Sequence, residues 1–236
     1  EQLLYLTGAI RKLGRVDHQT AFLDTDKIEQ NRGITVFSKE ARFALGDINV
    51  TLLDTPGHVD FSGEMERTLS VLDYAILVVS GTDGVQAHTL TLWRLLESYR
   101  VPVFLFINKM DLAGARKEVI LSQLQKQLSP HCVDFGQEKD ALHEACAMCD
   151  EALLETYLET GTVTSANIRG LLEGRRIFPC CFGSGLKLEN VDVLLNLLER
   201  LAPTQHYTQD FGAKVYKISR DPQGNRLTWL KITGGS

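Results

Sequence analysis

Two short strings in this chain could do chemistry: Asp54-Thr55-Pro56-Gly57-His58 and, roughly fifty residues on, Asn108-Lys109-Met110-Asp111. The first lines up a carboxylate, a glycine amide and an imidazole after an apolar stretch. Glycine has no Cβ, so the Gly57 amide can approach a phosphate closely. Asp54 is a hard oxygen donor that can reach a phosphate-bound Mg2+ through a water. His58 follows that amide and is placed to orient a water. Phosphoryl transfer is accelerated mainly by such positioning and by charge stabilisation. Asp111, once ionised, only accepts, and it can take hydrogens from N1 and N2 of guanine. Adenine presents an acceptor at N1 and no 2-amino group, so the same pairing fails. Asn108 is read as a tie between neighbouring loops, and the stem of Lys109 as a cover for the base. Either string alone can be an ordinary strand-ending turn. Together they predict GTP and GDP as ligands.

Two weaker strings fit the same chemistry. Arg32-Gly33-Ile34-Thr35 lies in a polar loop, where the Thr35 hydroxyl can bind Mg2+ and its backbone can hold the attacking water. Loops of this kind order around a terminal phosphate. Gly183-Ser184-Gly185-Leu186 follows a late apolar stretch, and its amides could meet guanine O6. A G-x-x-x-x-G-K-[ST] phosphate loop does not occur in the sequence. It is expected just upstream of Glu1, which would leave the chain as numbered with weak nucleotide affinity. The start without methionine and the Thr233-Gly234-Gly235-Ser236 end are read as cuts in a longer protein.

Periodicity predicts the elements that must hold these residues. Residues 1–6 read as the tail of a helix and 11–34 as a long loop. Residues 42–45 and 48–53 read as strands around a tight Gly46-Asp47 turn. Phe61, Met65, Leu69 and Leu72 have helical spacing. Residues 74–79 and 101–107 are continuous apolar runs, as expected of strands covered on both faces. Residues 88–99 and 115–128 read as helices. This alternation predicts an α/β fold with a parallel sheet. Such sheets bind ligands at the carboxyl ends of their strands, where Asp54 and Asn108 fall.

Residues 133–177 interrupt the alternation as a helical insertion. Residues 138–158 read as one amphipathic helix and 165–172 as a short second one. Residues 178–182 resume a strand and 191–201 form a closing helix. After a linker at 203–209, residues 214–219 and 226–233 alternate like strands around Asp221-Pro222-Gln223-Gly224-Asn225. Two strands alone are marginal in water, so they are read as the start of a β-domain. The expected division is a domain at 1–202 and the beginning of another at 203–236.

Bulk properties narrow the partners. The 236 residues are 44% apolar and 23% charged, ordinary for a globular protein. A net charge of −5 gives no global basic field, and no DNA partner is expected. The runs at 75–79 and 103–107 are too short to span a bilayer, and no signal peptide is visible. A cytoplasmic monomer without membrane attachment is expected. Cys146 and Cys149 form a C-x-x-C in a helical stretch, and Cys180 and Cys181 are adjacent. With no second C-x-x-C, the five cysteines are read as reduced core thiols rather than a zinc site.

The motifs resemble those of the translational GTPases, specifically the elongation factor G group. Asp-Thr-Pro-Gly-His-Val-Asp-Phe at 54–61 is similar to that group, whereas elongation factor Tu and the sulfate-adenylylating GTPases tend to read D-T-P-G-H-E. Arg32-Gly33-Ile34-Thr35 matches the group's first switch. Within the group, three stretches look most like the tetracycline-resistance ribosomal protection proteins. They are Leu3-Leu4-Tyr5 with Gly8-Ala9-Ile10, then Gly14-Arg15-Val16-Asp17, then Ser70-Val71-Leu72-Asp73 through Asp83-Gly84-Val85-Gln86-Ala87. Gly185 stands where the group commonly has alanine, and the insertion is shorter than in elongation factor G. The resemblance implies a P-loop GTPase-type G domain followed by the first strands of a translation-factor β-barrel. It implies a ribosome-stimulated GTPase with Mg2+ at Thr35 and Asp54. His58 would be triggered by ribosomal RNA at the factor-binding site. A housekeeping translocation factor or a termination factor of the same group is the alternative. A GTP-regulated binding module and a GTPase coupled to a metabolic enzyme are more distant readings, and the His-Val-Asp-Phe continuation argues against the latter.

Overall fold

The computed structural model describes residues 1–14, 39–55, 62–204, 207–221 and 223–235. Two units emerge. Residues 2–7 and 74–203 form one; residue 1 with 8–73 and 204–236 forms the other.

The larger unit is built on four parallel strands in the order β3-β4-β6-β5. These are β3 (Ala75–Ser80), β4 (Val103–Asn108), β5 (Cys132–Asp134) and β6 (Phe178–Phe182). β4 lies between two neighbours, and its Val103 to Ile107 are all buried. A strand buried on both faces needs no polar alternation, which is why its sequence is a continuous apolar run. One face of the sheet presents Phe104, Phe106, Val133 and Cys181 to a single apolar core. Helices α5 (Lys139–Ala147), α6 (Glu151–Thr160), α7 (Ser165–Glu173) and α8 (Val191–Leu201) complete that core with Cys146, Leu153, Leu172 and Leu197. Residues 133–177 therefore supply three of the helices on that face, and α8 the fourth. Helices α3 (Ala87–Ser98) and α4 (Lys117–Gln127) connect β3 to β4 and β4 to β5. Trp93 of α3 packs edge-on against Phe178 of β6, with ring centroids 4.6 Å apart. The five-residue helix α1 (Gln2–Leu6) buries Leu4.

Three sequence expectations need correction here. Residues 138–158 are two helices, not one. The chain breaks at Met148-Cys149-Asp150, and the Asp150 carboxylate caps α6 by accepting from the Leu153 amide at 3.1 Å. Asp150 also pairs with Arg176, which fixes the break. The insertion is not wholly helical either, because β5 opens it and joins the sheet beside β6. Finally, β3 is not covered on both faces. Leu77 and Val79 are buried but Val78, on the opposite face, is 57% exposed.

The smaller unit contains β1 (Lys39–Leu45) and β2 (Ile48–Asp54), an antiparallel pair turning at Gly46-Asp47, with Gly46 at φ +55°. It also holds α2 (Ser62–Leu69) and the antiparallel pair β7 (Gly212–Arg220) and β8 (Arg226–Gly234). The β7–β8 turn is closed by Asp221, whose carboxylate accepts from the Asn225 amide at 2.7 Å. Lys214 of β7 donates to the Ser70 carbonyl at 2.8 Å, and Lys231 of β8 donates to the Val71 carbonyl at 2.9 Å and to Asp73 at 2.5 Å. Cations at the end of a helix satisfy its last carbonyls and its dipole.

The cysteines are free. Burial pushes the thiols of Cys146 and Cys181 up to about 12 and that of Cys149 up to about 11. Such thiols are not nucleophiles at neutral pH. Among the described residues, no helix is long and apolar enough to cross a membrane.

Candidate functional site

The loops that leave β3, β4 and β6 meet at the carboxyl edge of the parallel sheet, the place where open α/β sheets take ligands. Their backbones are hydrogen-bonded to one another. The Gly81 amide donates to the Asn108 carbonyl at 2.7 Å, the Gly183 amide to the Ile107 carbonyl at 2.9 Å, and the Met110 amide to the Gly183 carbonyl at 3.0 Å. Asn108 links the β4 and β6 loops directly. Its Oδ1 accepts from the Lys109 amide and from the Gly185 amide, both at 2.8 Å. Lys109 is exposed and takes a left-handed backbone, φ +64°, which is uncommon for a residue with a Cβ. That turn sends the chain back toward the site and delivers Asp111.

Asp111 is the chemical centre of this edge. Its side chain is 8% exposed, and Lys187 Nζ lies 3.5 Å from its Oδ2. The hydrogen bond from the Ser184 hydroxyl holds its carboxyl below the ordinary carboxylate value. Burial opposes this; a backbone amide and the Lys187 charge add to it. The group is thus an anion at neutral pH. Ser184 is itself buried, and its backbone pairs with Glu189 in both directions at 3.0 Å, which closes the 184–189 turn. Leu186 lies at the tip of that turn and is 64% exposed, an apolar side chain available to cover a flat ligand.

Glycine is required at one point of this turn. A Cβ on Gly183 would stand 2.2 Å from the Glu189 carbonyl oxygen and 3.1 Å from Phe106 Cζ. Gly183→Ala is expected to cost about 1–3 kcal/mol, an overpacking penalty that thermal denaturation would register. An unchanged midpoint would show that the turn gives way at no cost. Gly185 differs. A Cβ there would meet only Asn108, with Oδ1 at 3.4 Å, and the Gln2 side chain, all ordinary contacts, so an alanine in its place fits without rearrangement.

The structure brings together Asn108, Lys109, Asp111, Ser184, Gly185 and Leu186 in one unit. Asp54 ends β2 in the other unit, partly buried. Thr35, Gly57 and His58 lie outside the described residues. Lys187 was not singled out from the sequence. Its signal was available: a cation three residues after the serine of Gly-Ser-Gly-Leu-Lys, the distance at which a tight turn returns to its start.

Residues 1–204 match the family described as the Elongation factor Tu GTP binding domain. The chain is 35% identical to an oxytetracycline resistance protein of Streptomyces rimosus, with all of this chain and 40% of that protein covered. It is equally 35% identical to the tetracycline resistance protein TetM of Streptomyces lividans, covering all of this chain and 41% of that one. The chain therefore spans about two-fifths of the length of these curated relatives. A crystal structure from Thermus thermophilus superposes with a TM-score of 0.87 at 26% identity, over all of this chain and 43% of its own. The match over most of its length places this chain in the elongation factor Tu GTP-binding domain family.

Proposed function

We propose that the protein carrying this chain is a ribosome-dependent GTPase, a translation factor of the ribosomal protection type associated with tetracycline resistance. The observation that carries the nucleotide reading is the Asp111 carboxylate, ionised and held by Ser184 at the carboxyl edge of the sheet. Asp111 accepts from guanine N1–H and N2–H, the Leu186 amide serves O6 while the Gly185 amide, given to Asn108 Oδ1, orders the loop, and the Lys109 stem and Leu186 cover the ring. The names of the curated relatives support the resistance type over a housekeeping translocation or termination factor.

Hydrolysis is assigned to the segment after β2. A water oriented by His58 attacks the γ-phosphorus, the bond to the β–γ bridging oxygen breaks, and GDP leaves with phosphate carrying the water's oxygen. The Gly57 amide holds the γ-phosphate. Asp54 and the Thr35 hydroxyl would hold Mg2+, since both offer the hard oxygen that this ion takes. That ion, when bound, would neutralise phosphate charge.

We further assign residues 1–202 to the GTP-binding domain, and 203–236 to a linker and the first strands of a β-barrel. The protein acts as a cytoplasmic monomer without DNA or membrane partners. Phosphate release from GTP, measured with and without ribosomes on the whole protein, tests the reading. Ribosomes are expected to raise turnover, and equal rates would rule out a ribosomal role.

A further inference from the structure

The Asp111 side chain is only 8% exposed, and the Lys187 ammonium stands 3.5 Å from its Oδ2 as an ion pair. An ionised carboxylate only accepts, so a base that reads Asp111 must bring two donors to it. The ammonium stands at the little room left there. Ser184 is buried and its backbone pairs with Glu189, so that side of the carboxylate is fixed. Lys187 has a side chain 54% exposed, on a flexible stem that reaches solvent, and is the group able to yield.

We propose that Lys187 is a guanine-affinity determinant: its ammonium occupies the reading edge of Asp111 and is displaced by the base. The placement is built into the fold. The Lys187 amide donates to Ser184 Oγ at 3.3 Å, so the same serine that anchors the carboxylate anchors the residue that caps it. Leu188, with φ +60°, then turns the chain back to Glu189. The cap neutralises a nearly enclosed anion and must be given up when guanine binds. Lys187 thereby lowers guanine affinity and eases exchange. This inference rests on the proposal that Asp111 reads guanine.

The test uses the full chain and N-methylanthraniloyl-GDP, followed by fluorescence. Lys187→Met is expected to bind about two- to fivefold more tightly than wild type at low salt, the scale of an exposed ion pair. Lys187→Arg should stay near wild type. The gap should close near 1 M salt, where the screening length is only ~3 Å. Equal or weaker binding by Lys187→Met, or a gap indifferent to salt, overturns the proposal. The adenine analogue is the control: if wild type binds it as well as the guanine one, the guanine reading itself fails. Should wild type bind neither, carbon-13 titration of the Asp111 carboxyl decides. Its midpoint should rise in Lys187→Met, and an unchanged midpoint removes the ion pair and the proposal with it.

Discussion

Asp111→Asn should weaken GDP binding by about a hundredfold, the scale of losing charge-assisted hydrogen bonds. It should also turn the preference toward xanthine nucleotide. The reason is a count of donors. Guanine presents N1–H and N2–H, both donors, to a group that only accepts. Asparagine keeps one acceptor oxygen and replaces the other with an NH2, so a donor then faces a donor. Xanthine carries an oxygen at C2 and accepts from that NH2. Sites built on such bonds discriminate by roughly 10^4–10^5, because the mismatched partner leaves enclosed polar groups unpaired. The fold should tolerate the change. The two side chains have nearly the same shape, and the backbone links of the loop, Met110 to Gly183 and Gly185 to Asn108, do not involve the Asp111 side chain. Competition of GDP against XDP on the variant is the measurement. A variant that still prefers GDP as strongly as wild type would falsify the role given to Asp111.

His58→Ala should act on the other half of the chemistry. Nucleotide affinity should remain within about a factor of two, since the imidazole is assigned to the attacking water and not to base or ribose. Ribosome-stimulated turnover should fall by about 10^2–10^4, the range of a positioned acid–base group. Binding and single-turnover phosphate release, measured on the same preparation, separate the two effects. Turnover unchanged by the substitution would remove His58 from the mechanism. Loss of binding and turnover together would instead make it a structural residue of the phosphate side.

What the sequence made legible was whatever is encoded within a few residues. Asn108 and Asp111 could be placed because a buried strand and the motif that ends it are contiguous. The strand pair 39–54 was readable because its turn, Gly46-Asp47, carries the left-handed glycine that such turns use. The break at 148–150 was missed for a physical reason. Leu142, Cys146, Leu153 and Tyr157 keep one apolar stripe across it, because both helices pack on the same core. The local sign was an aspartate three residues before Leu153, a capping position. β5 is three residues long, too short for any period to register. Exposure of Val78 depends on what packs over its face of β3, and an apolar run does not say that. Lys187 carried a local sign, its place three residues after Ser184, but its partner Asp111 lies far earlier in the chain and is met only through the folded turn.

The grip of the β7–β8 lysines on the end of α2 has a mechanical consequence. Lys214 and Lys231 hold Ser70, Val71 and Asp73, just past the last residue of α2. Three lysine hydrogen bonds thus clamp the residues that follow α2 onto the hairpin, so the end of this helix and the hairpin are expected to open as one unit rather than separately.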